Sequence, residues 1–239
     1  MARVIVIIPA YNEADTIETV LRGLETQVPD YDVVVVNDGS SDDTARIVSR
    51  CPNAALVSLP YNMGIGVAVQ TGYKYAQRQR YDIAVQCDAD GQHPVQQIPR
   101  LVEHVLAGDG DLIIGSRYVA DTGYSPSVSR RVGKSIMSRL VDVVVGRGIT
   151  DTTSGFRAAN RRVINIFARH YPDDFPEPES VVILHKAGLK VAETPVDMMQ
   201  RQGGRTSINP RRAVYYMIKV AFAIFMDIFR KFTHTPEEI

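Results

Sequence analysis

Residues 83–94 read Ile-Ala-Val-Gln-Cys-Asp-Ala-Asp-Gly-Gln-His-Pro, an apolar run of strand length that leads into two aspartates. Apolar runs of similar length occur at residues 4–8, 33–36, 54–59 and 112–115, and helix-like stretches separate them at about 14–26, 42–50, 64–78 and 95–106. Strands that alternate with helices form crossover units and build a mostly parallel sheet. The sequence therefore predicts an α/β fold with a mostly parallel central sheet flanked by helices.

The residues that follow each apolar run are polar. They are Pro9–Glu13, Asn37–Ser40, Tyr61–Gly66, Asp88–His93 and Gly115–Arg117. Ligands of open parallel sheets bind at the carboxyl ends of the strands. We therefore expect these five segments to meet at one edge of the sheet and to form a site there.

Asp88 and Asp90 are two residues apart at the end of a strand, where both carboxylates can approach one hard cation. Gln92 adds a neutral oxygen, and His93 is a further candidate ligand or a turn residue near the substrate. A divalent ion here would stabilise a departing diphosphate. The alternative is a solvated acidic turn in which Gly91 supplies the bend.

Three further residues are candidates for nucleotide contacts. Asp38 leaves the second strand at a point where it can accept a hydrogen bond from a ribose hydroxyl or a base, whereas Ser41 or Asp42 is expected to cap the next helix. Tyr11 can stack on a base with the Glu13 carboxylate turned toward it. The alternative for Tyr11 and Glu13 is a simple turn and helix cap.

The overall charge and the cysteine content exclude several classes of protein. Net charge is zero in 239 residues, but residues 1–110 carry 8 Lys and Arg against 14 Asp and Glu, and residues 111–239 carry 19 against 13. This argues against a general nucleic-acid binder and suits an anionic partner for the second half. The two cysteines have no metal-ligand spacing, so neither a disulfide framework nor a zinc site is predicted.

Five segments together resemble the family 2 glycosyltransferases: Val6–Glu13, Val36–Thr44, Asn62–Gly66, Asp88–Pro94 and Gly115–Arg117. Within that family, Thr153–Arg157 and Arg201–Ser207 are most similar to the dolichyl-phosphate mannose synthase branch. The resemblance covers about residues 3–208. It implies a GT-A fold, a nucleotide-sugar donor, Mg²⁺ or Mn²⁺ as cofactor, and a polyprenyl phosphate as acceptor.

The resemblance also implies roles for individual residues. It assigns catalytic roles to Asp88, Asp90 and Arg117, and metal binding to Asp90 and Gln92. Nucleotide binding falls on Pro9, Tyr11, Asn12, Glu13, Asp38, Gly64, Asp88, Ala89 and Arg201. Acceptor binding falls on Arg117, Arg131, Ser135 and Arg157. Ser207 stands where the mannose synthases carry a lysine, which leaves the identity of the donor open.

Glu177 and Glu179 are candidates for a catalytic base, which only one of two possible kinds of acceptor requires. Many inverting relatives place a catalytic base in this region, and a sugar hydroxyl needs such a base whereas an ionised phosphate does not. An enzyme that extends a cell-surface saccharide is therefore an alternative, and so is a non-catalytic nucleotide-sugar-binding subunit of a membrane complex. Negative charge at a helix N-terminus is the structural explanation for both glutamates.

The chain is expected to divide into a catalytic domain, residues 1–209, and a C-terminal amphipathic helix and tail, residues 210–239. The catalytic domain includes a second short α/β portion near residues 151–197. Within the tail, Ala213–Phe232 has an apolar face and a basic stripe but no apolar run long enough to span a bilayer. It is expected either to lie in the membrane interface at the cytoplasmic face, or to pack on the domain, on a small membrane protein or on a second copy.

Overall fold

The computed structural model describes residues 2–119, 149–173 and 176–199. The strands in these residues are β1 (Val4–Ala10), β2 (Asp32–Asn37), β3 (Ala54–Ser58), β4 (Ile83–Gln86), β5 (Leu112–Ser116), β6 (Arg157–Asn160) and β7 (Val191–Pro195). The α-helices are α1 (Ile17–Gln27), α2 (Thr44–Val48), α3 (Ile65–Arg78), α4 (Ile98–Leu106), α5 (Arg161–Arg169) and α6 (Pro176–Lys186). A 3₁₀ turn, Val95–Gln97, precedes α4. The five predicted strands and four predicted helices are confirmed.

All seven strands belong to one sheet in the order β3-β2-β1-β4-β6-β5-β7. Every pairing is parallel except those of β6, which runs antiparallel to both β4 and β5. The predicted α/β class with a mostly parallel sheet is therefore confirmed. Strands β6 and β7 of the 151–197 portion complete this sheet, with β6 inserted between β4 and β5.

The core lies on both faces of the sheet, and strand β1 near its centre is apolar at every position. In β1, Ile5 and Ile7 contribute to the cluster that includes α3, α5 and α6, whereas Val6 and Ile8 contribute to the cluster that includes α1, α2 and α4. A parallel strand covered by helices on both faces is expected to be apolar throughout. This explains why β1 lacks the alternating pattern of a half-exposed strand.

Helix α3 begins with a close approach between backbones. A Cβ atom on Gly66 would lie 2.2 Å from the carbonyl oxygens of both Pro172 and Asp173. Only glycine fits this contact without a shift of the backbone. The contact fixes the start of α3 next to the segment that leads into α6, so that Ile65 and Glu177 line the same cleft.

None of the helices in residues 2–119, 149–173 and 176–199 is long and apolar enough to cross a membrane. The predicted C-terminal helix, Ala213–Phe232, lies outside the described residues.

Candidate active site

A cleft of about 350 Å³ opens at the carboxyl ends of β1, β2 and β4. It is lined by Pro9, Ala10, Tyr11, Glu13, Asp38, Asn62, Gly64, Ile65, Ala68, Asp88, Ala89, Asp90 and Glu177. Four of the five polar segments that were expected at one edge contribute to this lining. The fifth, which contains Arg117, follows β5 at the same edge because β5 and β4 are both antiparallel to β6.

The cleft is acidic. Its lining includes five carboxyl groups, those of Glu13, Asp38, Asp88, Asp90 and Glu177, and no lysine or arginine is among the described residues that line it. Carboxylates repel an anionic ligand and attract a hard divalent cation. A diphosphate would therefore enter this cleft together with a cation.

Asp38 holds one part of the cleft wall in place through its carboxylate. It is 3% exposed, and its two carboxylate oxygens accept hydrogen bonds from the amides of Met63, at 2.7 Å, and Gly64, at 2.9 Å. The next residue, Gly39, has φ +65°, and a Cβ atom there would lie 2.4 Å from the carbonyl carbon of Tyr61. The β2 exit and the loop before α3 are thus held together beside the predicted nucleotide site.

The segment after β1 carries Tyr11 on the rim of the cleft, where it is 46% exposed. Asn12 turns away from the cleft lining. It has φ +55°, its amide donates to the Ser40 hydroxyl, and its side-chain oxygen accepts from the Ser41 amide. The geometry supports a nucleotide contact for Tyr11 and favours a structural role for Asn12, which joins two loops of the site.

Helix α2 begins differently from the prediction. Its N-cap residue is Asp43, whose side chain makes no capping hydrogen bond. Asp42 instead accepts from the Thr44 amide and hydroxyl and, 28 residues earlier in the chain, from the Ala14 amide. The carboxylate of Asp42 therefore ties the loop after β2 to the loop after β1.

The turn from Asp88 to His93 holds the two aspartates at the floor of the cleft. Asp90 Oδ1 accepts from the Gln92 amide at 3.0 Å. His93 Nδ1 accepts from the Asp88 amide at 2.8 Å, and His93 Nε2 lies 3.6 Å from Asp88 Oδ2. Burial lowers the pKa of His93 to about 4, and because Nδ1 accepts from the Asp88 amide, the neutral ring carries its proton on Nε2. Of the two roles considered for His93, this geometry favours that of a turn residue.

The ligand chemistry of this turn fits a hard divalent cation. Carboxylate oxygens of Asp88 and Asp90 line one cleft, and such ions accept further oxygens from a diphosphate and from water. No group of three or more His, Cys, Asp or Glu with metal-site geometry occurs in the described part of the chain. Oxygens of the diphosphate would be further ligands of such an ion, as in metal sites that bind nucleotide phosphates.

Arg117 leaves β5 and is held by a buried carboxylate. Asp151 is 0% exposed and accepts from Arg117 Nε and Nη2, both at 2.7 Å, and from the Arg117 amide at 3.1 Å. Thr153 accepts a further hydrogen bond from Nη2 at 3.0 Å. The guanidinium is therefore fixed in orientation, and it is close enough to oppose protonation of His93.

Arg157 lies inside the protein and not on the acceptor side of the cleft. It is 1% exposed, and its guanidinium donates to the carbonyl oxygens of Ser154, Thr152 and Glu177 and to the Ser180 hydroxyl. The sequence pattern suggested acceptor binding, but this geometry favours a positioning role. Arg157 holds the first turn of α6, which carries Glu177, against the end of the sheet.

Of the two candidate bases, Glu177 lines the cleft, and Glu179 is not part of the lining. Burial raises the pKa of Glu177, Asp88 adds to this effect, and Arg157 opposes it. A carboxyl with a raised pKa beside the aspartate pair can accept or donate a proton near the reacting sugar.

Three of the expected site residues, Arg131, Ser135 and Arg201, lie outside the described residues. The chain that leads to Arg201 is nevertheless anchored beside the aspartate turn, because the Met199 amide donates to the Gln92 carbonyl at 2.9 Å.

Sequence reasoning missed Asp151 and Glu193. Both are single acidic residues in segments without a recognisable motif, and Asp151 pairs with Arg117 and Glu193 across 34 and 42 residues of sequence. The one available signal was the isolated charge of Glu193 within the strand Val191–Pro195.

The comparisons with known proteins agree with the fold. Residues 5–167 match the model of the family described as glycosyl transferase family 2. An undecaprenyl-phosphate mannosyltransferase of Micrococcus luteus is 30% identical over 87% of this chain and 88% of its own length. A polyprenol monophosphomannose synthase of Mycolicibacterium smegmatis is 29% identical over 92% of this chain and 86% of its own.

A solved structure shows the same fold at lower identity. Glucosyl-3-phosphoglycerate synthase from Mycobacterium tuberculosis, in complex with Mn²⁺, UDP-glucose and phosphoglyceric acid, superposes with a TM-score of 0.73 at 19% identity, covering 97% of this chain and 81% of that one. The predicted enzyme is thus confirmed at the level of the family, and the non-catalytic alternative is not supported. The chain belongs to glycosyl transferase family 2.

Proposed function

We propose that this protein transfers a sugar from a nucleoside diphosphate to a polyprenyl phosphate, with inversion at the anomeric carbon. The acidic cleft is the observation that carries the proposal. Five carboxyl groups line it, and the described lining has no basic side chain, so it suits a diphosphate that arrives with a divalent cation. Arg117 follows β5 at the same edge, and we assign its guanidinium, which Asp151 holds, to the phosphate of the acceptor.

The lining of the cleft suits such a donor. We assign Tyr11 and the backbone at Gly64, which Asp38 holds, to the nucleoside, and the aspartate pair to the diphosphate. Asp88, Asp90 and Gln92 would hold Mg²⁺ or Mn²⁺. When bound, such an ion neutralises the charge that develops on the leaving diphosphate. Arg201, outside the described residues, is assigned to the donor phosphates.

The acceptor is assigned to Arg117, together with Arg131 and Ser135 outside the described residues. A guanidinium matches the geometry of phosphate oxygens, and Asp151 fixes the orientation of Arg117 before the acceptor arrives. One phosphate oxygen attacks the anomeric carbon and forms the new C–O bond. The bond to the diphosphate oxygen breaks, and its electron pair leaves with the nucleoside diphosphate.

This reaction needs no general base because the attacking oxygen is already ionised. The names of the two similar bacterial proteins, which describe transfer of mannose to undecaprenyl phosphate or polyprenol phosphate, support the same acceptor class. Membrane contact through Ala213–Phe232 at the cytoplasmic face would bring the site to a lipid-borne phosphate.

The test is a transfer assay with purified protein and a short-chain polyprenyl phosphate in detergent. A panel of radiolabelled UDP-, GDP- and dTDP-sugars is offered with Mn²⁺ or Mg²⁺, and the lipid product is extracted and counted. The matched acceptor control is the corresponding polyprenol, which lacks the phosphate. We expect transfer to the phosphate only, and its loss in chelator and in Asp90→Asn. Transfer at equal rates to the polyprenol, or full activity in chelator, would contradict the proposal.

One observation favours a second candidate, transfer to a saccharide hydroxyl. Glu177 lines the cleft and has a raised pKa, as a general base for a hydroxyl acceptor would. Glu177→Gln distinguishes the two candidates. It leaves the chemical step with a phosphate acceptor within a few-fold of wild type, whereas a reaction that depends on this base loses about 100-fold or more in kcat.

A further inference from the structure

The carboxylate of Glu193, on β7, accepts hydrogen bonds from the loop that carries Asp151. Glu193 Oε2 accepts from the Thr150 amide at 2.8 Å, and Glu193 Oε1 accepts from the Asp151 amide at 2.7 Å. The Thr150 hydroxyl lies 3.1 Å from both oxygens. Two consecutive backbone amides and one hydroxyl therefore meet a single carboxylate, and such charge-assisted hydrogen bonds are stronger than neutral ones.

The loop that Glu193 holds is also the loop that binds Arg117. The same residue, Asp151, that donates its amide to Glu193 accepts three hydrogen bonds from Arg117 through its buried side chain. Thr153 also links the two residues, because its hydroxyl accepts from Arg117 Nη2 and donates to Asp151 Oδ1. The position of the guanidinium thus depends on Asp151, and the position of Asp151 depends on Glu193.

The pairing of β5 with β7 brings Glu193 close to the end of β5. Strands β5 and β7 pair in parallel, with Ile114 beside Glu193. Arg117 follows the end of β5, so the Glu193 side chain lies on the neighbouring strand close to the point where Arg117 leaves the sheet. The hydroxyls of Ser116 and Thr150, 3.0 Å apart, add a direct link between the β5 end and the loop.

We propose that Glu193 is a positioning residue for the acceptor phosphate: it holds the Thr150–Asp151 loop so that Asp151 orients Arg117 toward the acceptor. This rests on the proposed function through the assignment of Arg117. Glu193 lies on the rigid sheet and does not line the donor cleft, so its loss acts on the acceptor and spares the donor.

The principal test is Glu193→Gln. The amide keeps one acceptor oxygen but faces the second backbone N–H with its own donors. We expect the KM for the polyprenyl phosphate to rise about tenfold, as for one lost charge-assisted hydrogen bond, and the donor KM to stay within about twofold. Thr150→Val removes only the hydroxyl contacts and should raise the acceptor KM about threefold, and it gives a second test if Glu193→Gln does not fold.

Asp111→Asn is the matched control. Asp111 also accepts from a β7-side amide, that of Lys190 at 2.8 Å, and from the Asn160 side chain at 2.7 Å, but it precedes β5 at the opposite edge of the sheet. Its loss should lower thermal stability to a similar degree and leave both KM values unchanged. A rise in the acceptor KM in Asp111→Asn equal to that in Glu193→Gln would overturn the inference, because general loosening of the sheet would then explain both.

Combination with Arg117→Ala separates failure of the inference from failure of the proposed function. If Glu193 acts through Arg117, the double variant has the acceptor KM of Arg117→Ala alone, because effects of residues in one pathway do not add. If Arg117→Ala raises the acceptor KM but Glu193→Gln does not, or if the two effects multiply, the positioning role is wrong and the acceptor assignment stands. If Arg117→Ala leaves the acceptor KM unchanged, the assignment of Arg117 fails and the inference fails with it.

Discussion

Replacement of Asp38 by asparagine isolates one buried carboxylate that shapes the wall of the cleft. Asp38 is 3% exposed and accepts from two backbone amides, Met63 at 2.7 Å and Gly64 at 2.9 Å. Asparagine offers one oxygen and one NH₂ group. One of the two hydrogen bonds survives, and the other backbone N–H is left facing a second donor.

The expected cost follows from these contacts. A hydrogen bond to a charged group contributes about 1.5–3 kcal/mol, and a buried N–H left without an acceptor costs about 1–3 kcal/mol. Because the two quantities overlap, we expect Asp38→Asn to lower the free energy of unfolding by about 2–3 kcal/mol. For a domain of this size that corresponds to a fall in Tm of roughly 4–12 °C. The loop at Met63 and Gly64 should loosen, and nucleotide binding should weaken with it.

The assay is thermal unfolding of both proteins with and without a saturating nucleoside diphosphate and Mn²⁺. Wild type should gain Tm on addition of the ligand, and Asp38→Asn should start lower and gain less. Asp43→Asn is the control, because Asp43 lies in the same β2–α2 connection but makes only an exposed ion pair with Arg46. A Tm for Asp38→Asn within about 1 °C of wild type would refute the argument that this carboxylate holds the wall.

Further predictions concern packing, pH and the membrane. Gly66→Ala forces a Cβ atom to 2.2 Å from two backbone carbonyl oxygens that cannot rotate away. Urea unfolding should therefore show a free energy of unfolding lower by about 1–3 kcal/mol. The control is Gly23→Ala in α1, whose Cβ atom would meet a Val95 methyl at 3.2 Å and should not destabilise the protein. Burial raises the pKa of Glu177 in the folded state, so its ionisation opposes folding at neutral pH. Glu177→Gln should therefore unfold at higher urea than wild type at pH 7, and the difference should vanish at acid pH, where the carboxyl is protonated in both states; equal midpoints at neutral pH would contradict this. Flotation with anionic liposomes should recover the whole chain with the lipid and leave a chain that ends at Asn209 in the soluble fraction. Recovery of both chains in the soluble fraction would instead leave Ala213–Phe232 as a core helix or a protein interface.

Several features followed from the sequence because each depends on a local pattern. Apolar runs of strand length that alternate with helical segments predicted β1 to β5 and the four helices between them. The position of Asp88 and Asp90 directly after an apolar run predicted that both would lie at the carboxyl edge of the sheet. Asp38, after a second run, was expected at the same edge, where it lines the same cleft. Parallel strands bring their carboxyl ends together, so the order of elements was enough to locate the site.

Other features were decided only by the tertiary structure. The antiparallel strand β6 enters between β4 and β5, and no periodicity in Arg157–Asn160 distinguishes its direction from that of its neighbours. Arg157 resembled a surface phosphate ligand in the sequence, but the fold encloses its guanidinium among carbonyl oxygens. Arg117 pairs with Asp151 across 34 residues of sequence, and Asp151 with Glu193 across 42. Contacts at such separations are set by which strands become neighbours in the sheet, because a local pattern constrains only the residues within one helix, strand or turn.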